Sequence, residues 1–215
     1  MKNKTADISI VLDRSGSLES IAGSTIEGFN EFIKTQKAVP VETTLTLAQF
    51  DDEYELVHKG IPIGEVPDLD KETFVPRYST ALLDAIGKII DDTGERLSAL
   101  PDDQRPAKVA IVIITDGYEN DSHQFSWKDI NEKISHQREV YKWEFLFLGA
   151  NQDAIATAAN VGIRRSSSLT YTPNEQGTKS AYRSVGESLG IYTSGGSDIS
   201  EFRWRDWEAQ KDAGL

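Results

Sequence analysis

The chain has 215 residues, of which 38% are hydrophobic and 27% are charged, a composition typical of one globular domain with its own core. It contains no cysteine, which excludes disulfides, zinc–thiolate sites and a thiol nucleophile. Its 23 basic and 35 acidic residues give a net charge of −12, and the only basic stretch is the short "IRRSS" segment at 163–167. We therefore expect no nucleic acid partner.

No segment approaches the roughly 20 consecutive apolar residues that a membrane-spanning helix needs. The first residues, "MKNKTADISIVLD", lack the long apolar region and the small-residue cleavage site of a signal peptide. We therefore expect no membrane partner and a cytoplasmic location.

Strand patterns and helix patterns alternate along the chain. Runs of apolar and β-branched residues predict strands, and apolar residues spaced i, i+3, i+4 predict helices. In chain order, the predicted strands are residues 7–13, 41–50, 54–60, 108–116, 142–150 and 166–172. The predicted helices are residues 18–37, 81–100, 126–137, 153–161 and 174–189.

This alternation predicts a doubly wound α/β domain over residues 1–190, with a mainly parallel sheet and helices on both faces. Residues 41–50 and 54–60 are joined by the short turn "DDE" and predict a hairpin, which adds one antiparallel edge strand. The apolar run "KVAIVIITD" at 108–116 is expected at the sheet centre. Residues 191–215 are a predicted C-terminal tail that contains Trp204 and Trp207.

The first strand ends in an aspartate that is followed by serines at alternate positions. In "DRSGS", the side chains of Asp13, Ser15 and Ser17 can direct three oxygens to one side of a tight turn around Gly16. In parallel sheets ligands bind beyond the carboxyl ends of the strands. Short side chains that bear oxygen suit a hard divalent cation at such a position.

Two other segments bring oxygens toward the same edge. The hydroxyl residues Ser79 and Thr80 precede the 81–100 helix, and Asp116 ends the central strand within "TDG". Alternatively, each of these residues has only a local structural role, with Ser17 and Thr80 capping helices and Asp116 starting a turn. The appearance of all of them at carboxyl ends of strands favours a cation site.

In this combination the sequence resembles the von Willebrand factor type A domain family, as a stand-alone domain of bacterial or phage type. The family's metal-ion-dependent adhesion site carries D-x-S-x-S, a later threonine and a later aspartate in T-D-G. The matching residues here are Asp13, Ser15 and Ser17, then Thr80, then Asp116. The family's glycines before the threonine are replaced by "RYS" at 77–79.

The resemblance implies a Rossmann-like fold with a mainly parallel six-stranded sheet and one antiparallel edge strand. It also implies that Ser15, Ser17 and Thr80 bind a metal directly, whereas Asp13 and Asp116 act more through water or hydrogen bonds. Mg²⁺ is the expected ion because it keeps waters and tolerates few protein ligands, and Mn²⁺ or Ca²⁺ could substitute.

The function implied by the resemblance is metal-dependent binding of a protein partner without catalysis. Three neutral hydroxyls and two indirect carboxylates leave a divalent ion short of negative charge, which a partner's Asp or Glu carboxylate can supply. The expected partner-binding rim around the ion comprises Arg14, Tyr78, Ser79, Tyr118 and His123.

Competing functions differ in class. A Ser15 nucleophile paired with His123 would make the protein a hydrolase, but the sequence has no G-x-S-x-G elbow. Magnesium-dependent phosphoryl transfer usually needs a second acid two residues after the first aspartate, and position 15 is serine. An accessory subunit of an ATP-driven, chelatase-like complex stays open, although the chain has no phosphate-binding G-x-x-x-x-G-K-[ST] loop of its own.

Overall fold

The computed structural model describes residues 4–150, 154–196 and 199. Within these residues, a six-stranded sheet lies between two layers of helices. The strands are β1 (Ala6–Asp13), β2 (Thr43–Phe50), β3 (Tyr54–Pro62), β4 (Lys108–Thr115), β5 (Glu144–Gly149) and β6 (Ser168–Thr170). The α-helices are α1 (Ala22–Lys37), α2 (Leu82–Ser98), α3 (Trp127–Tyr141), α4 (Ala154–Asn160) and α5 (Glu175–Thr193).

The sheet has the strand order β3-β2-β1-β4-β5-β6. Every neighbouring pair is parallel except β2 and β3, which form the antiparallel edge hairpin. The predicted doubly wound α/β architecture with one antiparallel edge strand is confirmed. The chain proceeds from β1 to one side of the sheet and from β4 to the other, so the strand order reverses between β1 and β4. A crevice at such a reversal is the usual ligand site of an open parallel sheet.

Alternate residues of each strand contact opposite helix layers, as the pleat of a strand requires. In β1, Ile8, Ile10 and Leu12 lie in the core beneath α1 and α5, whereas Val11 lies in the core beneath α2, α3 and α4. Because both faces are covered, β4 is apolar along almost its whole length. Burial of each large aliphatic side chain stabilises the fold by roughly 1.5–3 kcal/mol.

Three helix ends differ by four residues from those expected, and one of them is the end of α3, which continues to Tyr141, beyond the predicted end at residue 137. A 3-10 helix at Gly16–Ile21 precedes α1, so the predicted 18–37 helix is regular only from Ala22. At the other end, α5 continues to Thr193, beyond the predicted end at residue 189. The continuation buries Tyr192, which is 2% exposed, and burial of that ring outweighs the low helix propensity of Gly190.

Part of the predicted tail packs on the domain, since Ile199 is 2% exposed and belongs to the core beneath α1 and α5. Trp204 and Trp207 lie outside the described residues. Among the helices that the structure describes, none is long and apolar enough to cross a membrane.

Candidate metal centre

The site begins where β1 and β4 end side by side. Their parallel register pairs Leu12 with Ile114, which places Asp13 next to Thr115. The Thr115 hydroxyl donates a hydrogen bond of 2.5 Å to Asp13 Oδ2, and the backbone N–H of Ser15 donates one of 2.6 Å to Oδ1. Both oxygens of this fully buried carboxylate therefore have fixed directions.

The two serines of the β1 loop lie between the ends of β1 and β4. Ser15 Oγ and Ser17 Oγ are 3.1 Å apart, and Ser17 Oγ donates a hydrogen bond of 2.6 Å to Asp116 Oδ1. Ser15 is 2% exposed, whereas Ser17 faces solvent. The loop that follows β1 thus contacts the residue that follows β4.

Gly117 allows the fifth predicted residue, Thr80, to reach the same place. A Cβ at position 117 would lie 2.7 Å from Thr80 Oγ1 and 3.5 Å from Ser15 Oγ. Any side chain larger than hydrogen would therefore collide with the threonine hydroxyl. The glycine of "TDG" is needed because the Thr80 and Ser15 hydroxyls both lie close to its backbone.

The side chains do not serve as helix caps in this structure. The N-cap of the Gly16–Ile21 helix is Ser15, and the N-cap of α2 is Ala81; neither makes a side-chain capping bond. Ser17 and Thr80 are not at N-cap positions, and the Ser17 hydroxyl donates to the Asp116 carboxylate. The alternative reading of Ser17 and Thr80 as caps is therefore wrong.

The backbone of Thr80 is held from two sides. Thr80 N donates to Asn120 Oδ1 at 2.9 Å, and Asn120 N donates back to Thr80 O at 3.1 Å. On the other side, Ala81 N donates to the backbone carbonyl of Asp51 at 2.8 Å. These bonds fix the position from which the Thr80 side chain enters the site.

A loop over the start of α2 supports the same position. Glu119 Oε2 accepts a hydrogen bond of 2.9 Å from Leu83 N, one of the free N–H groups of the first helical turn. In return, the Asp84 carboxylate accepts hydrogen bonds of 2.9–3.0 Å from the backbone N–H groups of residues 123–125. The loop that follows Asp116 is therefore fastened to the helix that follows Thr80.

Both carboxylates of the centre have raised pKa values. Burial raises the pKa of Asp13 to about 6, although hydrogen bonds from Thr115 and Ser15 oppose the rise and nearby Asp116 adds to it. Burial also raises the pKa of Asp116, against the hydrogen bond from Ser17. A bound cation would stabilise the charged form of both acids, the buried Asp13 and the half-buried Asp116.

The donor set fits a hard divalent cation. It consists of three hydroxyl oxygens and two carboxylates, the oxygen ligands that Mg²⁺, Mn²⁺ and Ca²⁺ prefer. The part of the chain that the structure describes contains no group of three His, Cys, Asp or Glu side chains placed to hold a metal. A cation site in this region therefore depends on the hydroxyl groups of Ser15, Ser17 and Thr80.

Four of the predicted rim residues lie in the segments next to Thr80 and Asp116 in the chain. Tyr78 and Tyr118 are 68% and 61% exposed. Ser79 Oγ donates to Asp121 Oδ2 at 2.6 Å, and the exposed His123 places Nε2 3.5 Å from Asp121 Oδ1. These segments thus expose two aromatic side chains, and Asp121 contacts both Ser79 and His123.

Arg14 differs from these four, because the structure places it below the surface. It is 7% exposed, and its guanidinium donates to Asp51 Oδ2 at 3.0 Å and to Glu55 Oε2 at 2.6 Å. Its position between Asp13 and Ser15 in the sequence suggested a rim residue. Arg14 is thus buried and paired with Asp51, which follows β2, and with Glu55 of β3, so we do not retain it in the rim.

Tyr78 stands where the family carries glycine, and its backbone explains that preference. Its φ is 55°, in the left-handed region that residues with a Cβ rarely adopt. Its carbonyl accepts a hydrogen bond of 3.2 Å from Gly16 N, which joins the Thr80 loop to the β1 loop. The chain therefore keeps the glycine-type backbone while presenting an aromatic ring to solvent.

Asp51, Asn120 and Glu119 also belong to this region, and no motif in the sequence predicts this. Asp51 begins the "DDE" turn of the hairpin, and Glu119 and Asn120 lie in the segment that follows Asp116. A signal was present in each case, since Asp, Asn and Glu accept hydrogen bonds from loop N–H groups. Their partners are tens of residues away, and sequence spacing does not reveal such pairs.

Comparisons with known proteins agree with the fold. No protein-family model matches the sequence, and a search of curated proteins found no match. Among solved structures, proximal thread matrix protein 1 from the mussel byssus, with a zinc-occupied MIDAS motif, is 16% identical with a TM-score of 0.58. The aligned region covers 86% of this chain and 46% of that protein, so this chain spans about half its length.

Two further structures have the same architecture. Manganese-loaded TRAP protein from Plasmodium vivax is 16% identical over 81% of this chain and 71% of its own, with a TM-score of 0.57. A von Willebrand factor type A protein from Catenulispora acidiphila is 12% identical over 88% and 42%, with a TM-score of 0.54. Together with the strand order, they show that this chain has the von Willebrand factor type A fold.

Proposed function

We propose that this protein is a non-catalytic, divalent-metal-dependent binding module whose partner is a protein that contributes an Asp or Glu carboxylate. The observation that carries the proposal is the meeting of Ser15, Ser17 and Thr80 with Asp13 and Asp116 at the point where the strand order reverses. Support for the metal comes from two structures of the same fold, one with zinc in its MIDAS motif and one loaded with manganese.

In this proposal the hydroxyls of Ser15, Ser17 and Thr80 hold the ion, which we expect to be Mg²⁺, with Mn²⁺ or Ca²⁺ as substitutes. Asp13 orients the loop by accepting a hydrogen bond from the backbone N–H of Ser15, and Asp116 orients Ser17 by accepting one from its hydroxyl. A divalent ion held mainly by neutral oxygens supplies unmet positive charge and room for an oxygen from outside. The partner's carboxylate provides that oxygen.

Two observations support a role without catalysis. The Ser15 hydroxyl interacts with Ser17 Oγ, whereas the Nε2 atom of His123 lies 3.5 Å from Asp121 Oδ1. The His123 side chain is 81% exposed and its contact is with Asp121, so the imidazole is not positioned as a base for a serine nucleophile. We expect no turnover of generic ester, phosphate-ester or ATP substrates in the presence of Mg²⁺. The cytoplasmic location stays a prediction from the sequence.

The metal half of the proposal is tested by thermal unfolding in MgCl₂, in MnCl₂ and in EDTA. A ligand that binds only the folded state raises the midpoint temperature. We expect a rise for the wild type, none for Asp116→Ala, and a wild-type rise for Asp103→Ala, an exposed acid of the α2–β4 loop. A rise that persists in Asp116→Ala would place the ion elsewhere.

The carboxylate half is tested with a random peptide display library selected on immobilised protein in Mg²⁺ and eluted with EDTA. We expect the selected peptides to share an acidic residue, and synthetic versions with Asn or Gln in its place to lose binding. Peptides that bind equally well in EDTA, or after the acid is replaced, would contradict a metal-bridged carboxylate.

A further inference from the structure

Asp51 is a buried acid beside the centre that the proposed function does not use. It directly follows β2, its side chain is fully buried, and β2 lies next to β1 in the sheet. The backbone N–H of Arg14 donates to the carbonyl of Phe50 at 2.8 Å, so the residue between Asp13 and Ser15 lies directly beside Asp51.

The Asp51 carboxylate joins two arginines from separate loops. Its Oδ2 accepts from Arg14 Nε at 3.0 Å and from Arg77 Nε at 2.6 Å, while its Oδ1 accepts from Glu53 N at 2.8 Å. Burial raises the pKa of Asp51, but the Arg77 hydrogen bond, the Glu53 N–H and the Arg14 charge together hold it below its usual range. The carboxylate is therefore charged at neutral pH.

The two arginines belong to the two loops that must meet at the centre. Arg14 lies within the loop that carries Ser15 and Ser17, and Arg77 lies in the segment that leads to Thr80. The loops also pair directly, because Arg77 N donates to Arg14 O at 2.8 Å. The Asp51 main chain completes the connection, since its carbonyl accepts from Ala81 N at 2.8 Å.

We propose that Asp51, acting with Arg14 and Arg77, is a positioning residue for the metal centre that holds the Thr80 hydroxyl beside the Ser15 hydroxyl. The Arg14, Asp51 and Arg77 side chains form a clamp across the β1 loop and the Thr80 loop. This inference rests on the proposed metal-binding function and extends it to residues outside the five oxygen-bearing ones.

Position and charge make opposite predictions for Arg77. If the clamp affects the ion only through charge, removal of a nearby cation should strengthen binding of a divalent cation. If the clamp sets geometry, loss of Arg77 should weaken binding, because outer partners of a metal site typically contribute about 10–100-fold in affinity. The sign of the effect therefore separates positioning from electrostatics.

The experiment measures Mn²⁺ affinity by isothermal titration calorimetry and the midpoint of thermal unfolding in EDTA for the same set of variants. Arg77→Gln is the main variant, because this side chain is 38% exposed and its replacement should leave the protein folded. Arg77→Lys keeps a donor and tests rescue, and Asp51→Asn removes the charge of the buried acceptor. Glu53→Gln is the matched control, since its carboxylate also contacts Arg77, at 3.4 Å, but is 73% exposed.

We expect Arg77→Gln and Asp51→Asn to lower the Mn²⁺ affinity about tenfold, Arg77→Lys to recover part of the loss, and Glu53→Gln to match the wild type. The metal-free unfolding midpoint of Arg77→Gln should stay within a few degrees of the wild type. Unchanged or tighter Mn²⁺ binding by Arg77→Gln would overturn the clamp while leaving the metal centre intact. A wild type that binds no Mn²⁺ would overturn the proposed function and the clamp together.

Discussion

Ser17 Oγ and Asp116 Oδ1 are 2.6 Å apart although 99 residues separate them in the chain. The contact exists because β1 and β4 are neighbours with parallel register, so the loops that follow them leave the same edge of the sheet. Neither loop by itself contains an interaction that would bring Ser17 and Asp116 together. The function proposed for this protein therefore depends on the order of its strands.

Thr80 can be tested by separating its hydroxyl from its methyl group. Thr80→Ala should lower Mn²⁺ or Mg²⁺ affinity by more than about tenfold. Loss of a residue that only supports a metal ligand typically lowers the affinity by about 10–100-fold, and Thr80 is proposed to be a ligand itself. Thr80→Ser keeps the oxygen and should bind within a few-fold of the wild type. Titration calorimetry on both variants checks this, and equal loss in the two would show that the hydroxyl is not the relevant group.

Gly117→Ala should damage the centre without removing any oxygen. The added Cβ would lie 2.7 Å from Thr80 Oγ1, so the hydroxyl or the loop must move. We expect a loss of about 1–3 kcal/mol in unfolding free energy, as for other overpacked sites, together with weaker metal binding. Gly64→Ala is the control, because a Cβ there would have no neighbour within 4 Å. A Gly117→Ala protein with wild-type metal affinity would contradict the placement of Thr80.

The raised pKa of Asp13 makes the stability of the metal-free protein depend on pH. A folded-state pKa of about 6 against an ordinary value of 3.8 means that the folded state binds this proton more tightly than the unfolded state does. The contribution of this proton to stability is complete below about pH 3.8 and is lost as the pH rises through about 6. Asp13→Asn, which stays neutral, escapes that loss.

We therefore expect Asp13→Asn in EDTA to be more stable than the wild type at pH 7.5, by on the order of 2 kcal/mol, and to lose most of this advantage at pH 4.5. Urea unfolding at the two pH values measures the difference. Asp103→Asn, which changes an exposed acid, should show no such dependence. If Asp13→Asn were less stable than the wild type at pH 7.5, the buried Asp13 charge would not be destabilising the folded state. The same variant should show no metal-dependent rise in its unfolding midpoint.

Tyr78 should affect partner binding and leave the metal site unchanged. Its ring is 68% exposed and its left-handed backbone suits glycine, so Tyr78→Gly should change stability by less than about 1 kcal/mol. Exposed aromatic residues at an interface centre often contribute more than about 1 kcal/mol to binding. Peptides selected in Mg²⁺ should therefore bind Tyr78→Gly several-fold more weakly, with Mn²⁺ affinity retained.

Tyr141→Ala provides the matched control for the tyrosine variant. Tyr141 is 58% exposed, but it lies at the end of α3 and outside the centre. Its replacement should leave both the peptide and the metal affinity at wild-type values. Equal peptide binding by Tyr78→Gly and the wild type would remove Tyr78 from the rim.

Local patterns in the sequence were sufficient for the architecture. The apolar run of β4 and the "DDE" turn between β2 and β3 predicted a central strand and an antiparallel edge, because strand burial and tight turns depend on residues close together in the chain. The motif residues Asp13 and Asp116 are identifiable for a similar reason, since Asp13 ends β1 and Asp116 directly follows β4. The end of α5 was not predictable in this way, because the burial of Tyr192 depends on elements far from it in sequence.

Only the tertiary structure decided how the loops around the centre are held. Arg14 is hydrophilic and follows Asp13, so its sequence indicates an exposed rim residue, yet Asp51 and Glu55 draw its guanidinium inward. The left-handed backbone of Tyr78 likewise follows from its hydrogen bond to the β1 loop. Residue types and spacing determine which elements form, but a buried ion pair or a strained turn is stable only where distant segments supply its partners.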